Sequence, residues 1–314
     1  MKPVNICFIG NGSHAERIKI IISNMEISYD LVEYDRVADI EQQANVLNSD
    51  IIFITSPNNT HANYLKKLSK SYKGYVFCEK PPINKFEDLE IFDMIDSCRF
   101  FFGFNHRYSE IQEFISNTEE LYNMGDMVNI NIHMSYPFSV KEAYKHSWKS
   151  NINKSPCGVI ENLGIHYIDL SVALLGRIKQ VSLNSVNINK SGSAADTATF
   201  CLVHEGGSTS QIFVSYATLA RESMYFSFER GDISYNGSEF NTYYPRETFG
   251  KNGLSICPPI VLSKSIDSEL LYYQSLHNCI SYFIKRALSN DCFNPSLIDK
   301  ARISTLAMFG RVQG

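Results

Sequence analysis

A lysine follows the apolar run Tyr75-Val76-Phe77-Cys78 in Glu79-Lys80-Pro81, and an asparagine and a histidine stand four residues apart in Asn162-Leu163-Gly164-Ile165-His166. A lysine at the carboxyl end of a strand has two chemical uses. As an ammonium it stabilises negative charge growing on a substrate oxygen; with its pKa lowered it serves as a base. Pro81 fixes φ and pins that loop, and Glu79 can orient the lysine or meet a cofactor. Residues four apart on a helix share a face, so Asn162 and His166 are expected to project together. An unperturbed imidazole titrates near ~6.5, which suits proton transfer at neutral pH. Asparagine takes no proton, but its amide can hydrogen-bond a hydroxyl or hold a neighbouring side chain.

A second constellation opens the chain. The apolar run Val4-Asn5-Ile6-Cys7-Phe8-Ile9 breaks into Gly10-Asn11-Gly12-Ser13-His14-Ala15, and a helical pattern with Ile18, Ile20, Ile21, Ile22 and Met25 follows. Strand, glycine turn and helix start, in that order, aim backbone N–H groups and the positive end of a helix at one point, where a pyrophosphate can sit. Gly10 permits the tight turn, Gly12 lets the backbone approach phosphates, and Ala15 lets the helix lie close on the strand. Asp35 ends the next strand-like run about 20 residues past the glycine turn, where a carboxylate accepts hydrogen bonds from ribose hydroxyls. A carboxylate there repels a 2′-phosphate and favours NAD, whereas Arg36 beside it keeps NADP open. Ser56-Pro57-Asn58-Asn59-Thr60-His61 follows the run Ser49 to Thr55, again at the strand end where open α/β sheets bind ligands. Thr60 reads as a helix cap. For His61, cofactor contact and loop packing stand as equal readings.

These residues need elements to carry them. The first third of the chain alternates strand-like runs with helical patterns, including Ile40 to Leu47, Phe86 to Ile95 and Phe100 to Phe104. That alternation predicts an α/β fold with a parallel sheet covered on both faces. Near residue 125 the texture changes. Met127 to Met134 alternates with period two, Ile160 to Leu175 reads as helix, and runs at 180–188, 197–204, 208–216 and 224–228 are separated by turns such as Glu205-Gly206-Gly207. This predicts a large, mostly antiparallel sheet, followed by a helix from Ser268 to Leu288.

Composition narrows the classes. The 314 residues are 44% apolar and 20% charged, ordinary for a soluble globular protein of two domains. A net charge of −4, with Lys and Arg scattered, argues against nucleic acid or an anionic membrane as partner. No apolar run reaches the ~20 residues of a membrane span. Met1-Lys2-Pro3 leads straight into the first strand, leaving no room for an export signal. The eight cysteines include no Cys-x-x-Cys pair, so a cytoplasmic protein with reduced thiols and no metal is the expectation.

Four segments in order resemble one family over nearly the whole chain: the glycine turn at Gly10, Ser56-Pro57-Asn58-Asn59-Thr60-His61, Glu79-Lys80-Pro81, and Gly158-Val159-Ile160-Glu161-Asn162-Leu163-Gly164-Ile165-His166-Tyr167-Ile168-Asp169. Gly103-Phe104-Asn105-His106-Arg107-Tyr108 and Trp148-Lys149 add to the set. The chain resembles the glucose–fructose oxidoreductase, inositol dehydrogenase and MocA family (Gfo/Idh/MocA). The resemblance implies a Rossmann dinucleotide-binding domain over 1–122. It implies an α+β domain over 123–314 for substrate binding and oligomerisation, with the last helix packing back on the first domain. It also implies NAD(P)-linked hydride transfer at a secondary hydroxyl or keto carbon of a sugar, cyclitol or nucleotide sugar, and homo-oligomers, dimeric or tetrameric, formed through the open sheet face.

Within that resemblance Lys80 is a catalytic cation or base and His166 takes the hydroxyl proton, while the loop at Ser56, Pro57 and Asn58 runs beside the cofactor. Asn105 and Arg107 lie around the cofactor or the substrate entrance, or equally stitch the two domains together. Trp148 meets the nicotinamide half or fills the seam, Lys149 a ligand phosphate, Tyr144 and Tyr167 the substrate, and Asp169 orients helix or substrate. The family usually has aspartate four residues before the histidine; Asn162 stands there instead. Members acting on nucleotide-linked sugars share that asparagine, which points to such a substrate. Two other readings stay open: a catalytically silent dinucleotide-binding regulator, and a reductase of a non-sugar carbonyl, which an aromatic-lined pocket would favour.

Overall fold

Phenylalanines occupy equivalent positions on four neighbouring strands, and the first layer is organised around them. The computed structural model describes residues 3–37, 40 and 43–312. Met1 and Lys2, and residues 41 and 42 of the expected helix from Ile40 to Leu47, lie outside the described residues. The first half runs β1 (Val4–Ile9), α1 (Ser13–Ser23), β2 (Tyr29–Tyr34), α2 (Ala44–Leu47), β3 (Ile51–Ile54), α3 (Asn58–Ser71), β4 (Tyr75–Cys78), α4 (Ile91–Met94) and β5 (Phe100–Phe102). Its five strands form a parallel sheet in the order β2-β1-β3-β4-β5. The helix expected from Phe86 to Ile95 is instead a 3-10 turn at Phe86–Asp88 followed by α4.

The second half runs α5 (Glu110–Tyr122), β6 (Met127–Ser135), α6 (Glu142–Lys145), α7 (Ile165–Leu175), β7 (Ile178–Val186), β8 (Thr197–His204), β9 (Thr209–Ser215), β10 (Arg221–Phe228), β11 (Asp232–Tyr235), β12 (Glu239–Tyr243), β13 (Ile260–Ser265), α8 (Ser268–Leu288) and α9 (Ser296–Met308). Eight strands form one sheet in the order β13-β12-β11-β10-β6-β9-β8-β7, antiparallel except for the β6–β9 pair. Strand alternation turns Ile130 and Ile132 of β6, and Met224, Phe226 and Phe228 of β10, into the core. The opposite face leaves Asn131, Gln211 and Tyr225 exposed.

The parallel sheet is buried on both sides. Register aligns Phe8, Phe53, Phe77 and Phe101 across β1, β3, β4 and β5. Phe8 and Phe53 stack at 4.7 Å, and Phe283 of α8 meets Phe53, Phe77 and Phe101 with ring centroids 5.4, 5.3 and 5.6 Å away. A helix from the far end of the chain thus closes one face of the first sheet beside α1, whose Ile18, Ile21 and Ile22 share that core. Aromatic packing of this kind contributes beyond the area it buries.

A buried ion pair joins the layers. Arg107, in the 3-10 turn Asn105–Tyr108, donates through Nε and Nη2 to both carboxylate oxygens of Asp169 on α7, at 2.7 and 2.5 Å. Nη1 donates to Leu297 O at 3.0 Å, and Ser304 of α9 donates to Asp169 Oδ1 at 2.8 Å. Both side chains are at most 8% exposed.

The thiol expectation needs correction. Cys98 and Cys292 form a disulfide, while Cys7, Cys78, Cys157, Cys201, Cys257 and Cys279 are free. The segment after α8 returns along the start of β5, with Phe293 N donating to Cys98 O, and brings together cysteines 194 residues apart in sequence. Spacing along the chain carries no trace of that meeting. No group of three His, Cys, Asp or Glu residues among those described is arranged to hold a metal, and no described helix is long and apolar enough to cross a membrane.

Removing one partner of the Arg107–Asp169 pair leaves a charge buried without compensation. Asp169→Ala is expected to cost about 3–5 kcal/mol of stability, read as a lowered urea midpoint. A midpoint within error of the parent would show that the pair does not hold the layers together.

Candidate active site

The carboxyl ends of β1, β3, β4 and β5 open on one side of the first sheet, and the segment before α7 faces them. Gly10 sits at φ +108°, and a Cβ there would lie 2.4 Å from Ser56 N, so the turn after β1 and the loop after β3 touch through a position only glycine fills. Nothing lies within 4 Å of where a Cβ of Gly12 would be. Gly12 is followed at once by the first turn of α1, whose N–H groups have no upstream carbonyl within the helix. The open backbone at Gly12, exposed Asn11 and Ser13, and buried Ala15 against the sheet form a cradle that fits a dinucleotide's pyrophosphate. Asp35 and Arg36 follow β2 on its exposed end.

From this cradle a cleft of about 490 Å³ runs between the layers. Its lining includes Ser13, His14, Ser56, Asn58, Glu79, Lys80, Asn105, Asn162 and His166 among the expected residues, together with Trp148, Lys149 and Tyr167. Lys80 and His166, more than eighty positions apart in sequence, therefore face one space. Glu79 Oε1 accepts from His14 Nε2 at 2.7 Å, linking the end of β4 to the first turn of α1. Burial alone would raise the Glu79 carboxyl; His14, Lys80 and His61 outweigh it and hold it below the ordinary value.

Lys80 Nζ donates to the backbone carbonyl of Asn162 at 2.7 Å. Burial brings its pKa down to about 8, aided by Lys149 and opposed by Glu79 and Glu161. Asn162 lies in a π turn, Ile160–Gly164, that leads into α7. Its Nδ2 donates to Gly158 O at 2.8 Å and to Ser155 Oγ at 3.0 Å, so both amide hydrogens are used inside the turn and Oδ1 is left as the acceptor. His166 Nδ1 is buried without a partner, which leaves Nε2 as the nitrogen open to the cleft. Burial first, then Lys80 and His106, hold its imidazole well below the ordinary value. The ring is thus neutral across the physiological range, rather than poised near ~6.5.

Other expected residues are placed elsewhere. His61 is fully buried, with Nδ1 2.8 Å from Pro81 O and Nε2 2.8 Å from Ser56 O. Both nitrogens bracket the two loops, so loop packing replaces cofactor contact. Arg107 is consumed by Asp169 and Leu297, and stitching the layers replaces cofactor contact there too. Pro57 precedes the first residue of α3, and Thr60 lies in the first turn, donating back to Pro57 O at 2.7 Å rather than capping. Tyr144 is buried against Phe138 and Tyr216 and does not line the cleft. Asn105 reaches the cleft while donating to Ser275 on α8 at 2.7 Å.

Sequence reasoning missed three participants. The His106 ring lies 4.9 Å from that of His166, its pKa brought down to about 4 by burial and Lys80. Glu161, fully buried, accepts from Asn58 Nδ2 and Cys157 N, both at 3.2 Å, and ties the loop after β3 to the π turn. Burial raises that carboxyl to about 6. Arg17 lines the cleft against the Tyr272 ring of α8. The charged residue next to Asn162 and the histidine next to Arg107 were visible in the motifs themselves, but their partners were not.

Comparison with known proteins is consistent with this arrangement. The family model described as the oxidoreductase family with NAD-binding Rossmann fold matches residues 8–99, and that of the GFO/IDH/MocA C-terminal domain matches residues 122–234. A D-apiose dehydrogenase of Rhizobium rhizogenes is 32% identical over 99 residues, a stretch covering 31% of this chain and only 29% of that relative's length. Among solved structures, levoglucosan dehydrogenase in complex with NADH and L-sorbose aligns with a TM-score of 0.76 at 12% identity, covering 99% of this chain and 96% of that one. An oxidoreductase from Agrobacterium radiobacter, in complex with NAD+, L-tartaric acid and magnesium, aligns with a TM-score of 0.73 at 17% identity, covering 98% and 94%. At such identities the structural likeness speaks for the fold alone.

Replacing Asn162 by aspartate puts a carboxylate oxygen where an amide now donates to Gly158 O. The folded-state pKa of that carboxyl is then raised, so its penalty is present above the folded pKa and vanishes below the unfolded value near ~3.9. Asn162→Asp is expected to cost about 1–3 kcal/mol at pH 7.5 and much less at pH 4, by urea denaturation at both. An equal cost at the two pH values would contradict this account of the turn.

Proposed function

The chain belongs to the Gfo/Idh/MocA oxidoreductase family, and from that premise we propose that it catalyses NAD-dependent oxidation of a secondary hydroxyl of a sugar, or the reverse reduction. The observation that carries this reading is the shared cleft of Lys80, Asn162 and His166 beside the glycine turn. NAD, when bound, supplies the hydride acceptor. The Gly10–Ala15 turn, Asp35, and the Glu79 end of β4 are the groups that hold it, with Asp35 favouring NAD over NADP.

The chain's own residues divide the remaining work. Asn162 Oδ1 accepts from a sugar hydroxyl and orients the ring. Neutral His166 Nε2 takes the proton of the reacting hydroxyl, and half-buried Lys80 stabilises the negative charge that builds on its oxygen. The Asn162 carbonyl holds the ammonium in place, and its partial burial strengthens the field it exerts. In reduction the proton returns from His166 to the carbonyl oxygen. The hydrogen bonds of Asn162 account for that residue locally, so it no longer points to a nucleotide sugar. The reading of a silent dinucleotide-binding regulator has no support in a site that keeps both Lys80 and an unpartnered His166 in the cleft. The exposed outer face of the second sheet, with Tyr225 and Cys201 on it, supports a homo-oligomer formed there.

Lys80→Ala and His166→Ala are each expected to lower kcat for sugar oxidation by about 10²–10⁴-fold while NAD still titrates at nearly the parent affinity. Parent turnover in both variants would end this mechanism. The ammonium form of Lys80 is lost as pH rises through about 8. The kcat/KM for oxidation is therefore expected to fall above that pH, and Lys80→Arg to remove the limb because a guanidinium stays charged. A rate that climbs through pH 8 would make Lys80 the base instead.

A further inference from the structure

The catalytic cleft adjoins a larger cavity of about 760 Å³, with Arg17, His106, Tyr167 and Tyr272 lining both. The family assignment and the mechanism above leave this second space without a role. Its distinctive feature is Glu222. On β10 the residues at even positions, Met224, Phe226 and Phe228, are buried in the core, and Glu222 continues that same face. Register sets it opposite Met134 of β6, which also lines the cavity. A carboxyl on the inward face of a sheet breaks the apolar pattern, and such breaks mark function when nothing in the chain compensates them. Among the described residues the Glu222 carboxyl has no hydrogen-bond partner and no ion pair. Desolvation without compensation raises its carboxyl to about 7.

Resting on the sugar-oxidoreductase reading, we infer that this cavity is a second subsite holding an uncharged glycosyl unit attached to the ring being oxidised, with Glu222 as its specificity-determining residue. The substrate class is then a disaccharide or other O-glycoside. A carboxyl paired with nothing accepts from, or donates to, neighbouring hydroxyls of a sugar, and Tyr167, Tyr272 and Tyr273 supply the aromatic walls against which a ring packs. Charge excludes the nucleotide-linked alternative. Glu222, Asp267 and Glu269 line the cavity against Arg17, so a diphosphate would meet more carboxyls than cations. The positive end of α8, which would otherwise attract an anion, is already capped by Asp267, whose carboxylate accepts from Glu269 N and Leu270 N. The oxidised ring occupies the cleft at Lys80 and His166, and the glycosidic bond passes near His106, which borders both spaces.

NADH formation with the full-length protein tests this against glucose, galactose, xylose, maltose, cellobiose, lactose and UDP-glucose. At least one disaccharide is expected to have a kcat/KM about tenfold or more above those of its constituent monosaccharides. Glu222→Gln and Glu222→Ala are expected to lower that disaccharide-to-monosaccharide ratio about fivefold or more. The ratio is insensitive to partial misfolding, which scales both substrates alike. Monosaccharides oxidised as well as every disaccharide, a ratio unmoved in both variants, or UDP-glucose preferred over all of them, would each overturn the subsite and leave the sugar-oxidoreductase reading intact. NADH formed from none of the sugars would overturn that reading and the subsite with it.

Discussion

The position of the histidine on α7 depends on one buried ion pair. Arg107 follows His106 in the turn after β5, and Asp169 stands nearly one helical turn past His166 on α7. With the guanidinium gripping the carboxylate, the neighbouring imidazoles of His106 and His166 lie 4.9 Å apart. Ser304 ties α9 into the same carboxylate and Leu297 accepts from the same guanidinium. Three segments, the turn after β5, α7 and α9, thus share one electrostatic knot. Inside a low-dielectric interior the pair is costly to break from one side only, so α7 has little freedom to slide and the His166 ring keeps its place.

Burial acts in the same direction on four basic groups of the cleft. It lowers Lys80, Lys149, His106 and His166 alike, and mutual repulsion adds to it. The consequence is a division of states. The imidazoles, with the lower starting values, are neutral and able to accept a proton, while Lys80, with the higher one, retains its charge up to about pH 8. Glu79 and Glu161 keep the ammonium from falling further. One partly buried environment therefore yields neutral imidazoles and a cation side by side without requiring a different surrounding for each.

Much of this was legible in the sequence, for definable reasons. Phe8, Phe53, Phe77 and Phe101 sit in short apolar runs between helical patterns, and such runs can only be strands buried on both sides. The loops after them fall at one edge because parallel strands share a direction, which is why Gly10, Ser56 and Lys80 converge. What stayed hidden was pairing across distance. The Cys98–Cys292 bond, the use of Arg107 on Asp169, and the closure of the first sheet by α8 all join residues whose spacing carries no signal. The strands β11 to β13 escaped notice because they are short or exposed, so they lack a sustained alternation. His61 looked equally suited to ligand or packing because both uses want a histidine beside a strand end; only two carbonyls at 2.8 Å separate them.

The asparagine in place of the family's aspartate shows how a departure from a motif can be compensated nearby. An aspartate at that position needs donors around it, whereas this turn presents an acceptor, the Gly158 carbonyl, together with the Ser155 hydroxyl. Only an amide can donate to both while turning its oxygen outward. The charge that a carboxylate would have brought to the cleft is supplied instead at Glu161, one residue earlier and fully buried, where it acts on Lys80 from within the protein. With an amide at position 162, Glu79 is the carboxylate that shares the cleft with the ammonium, while Glu161 acts on it from the interior. The substitution therefore relocates the negative charge of the motif from the cleft to the buried residue beside it.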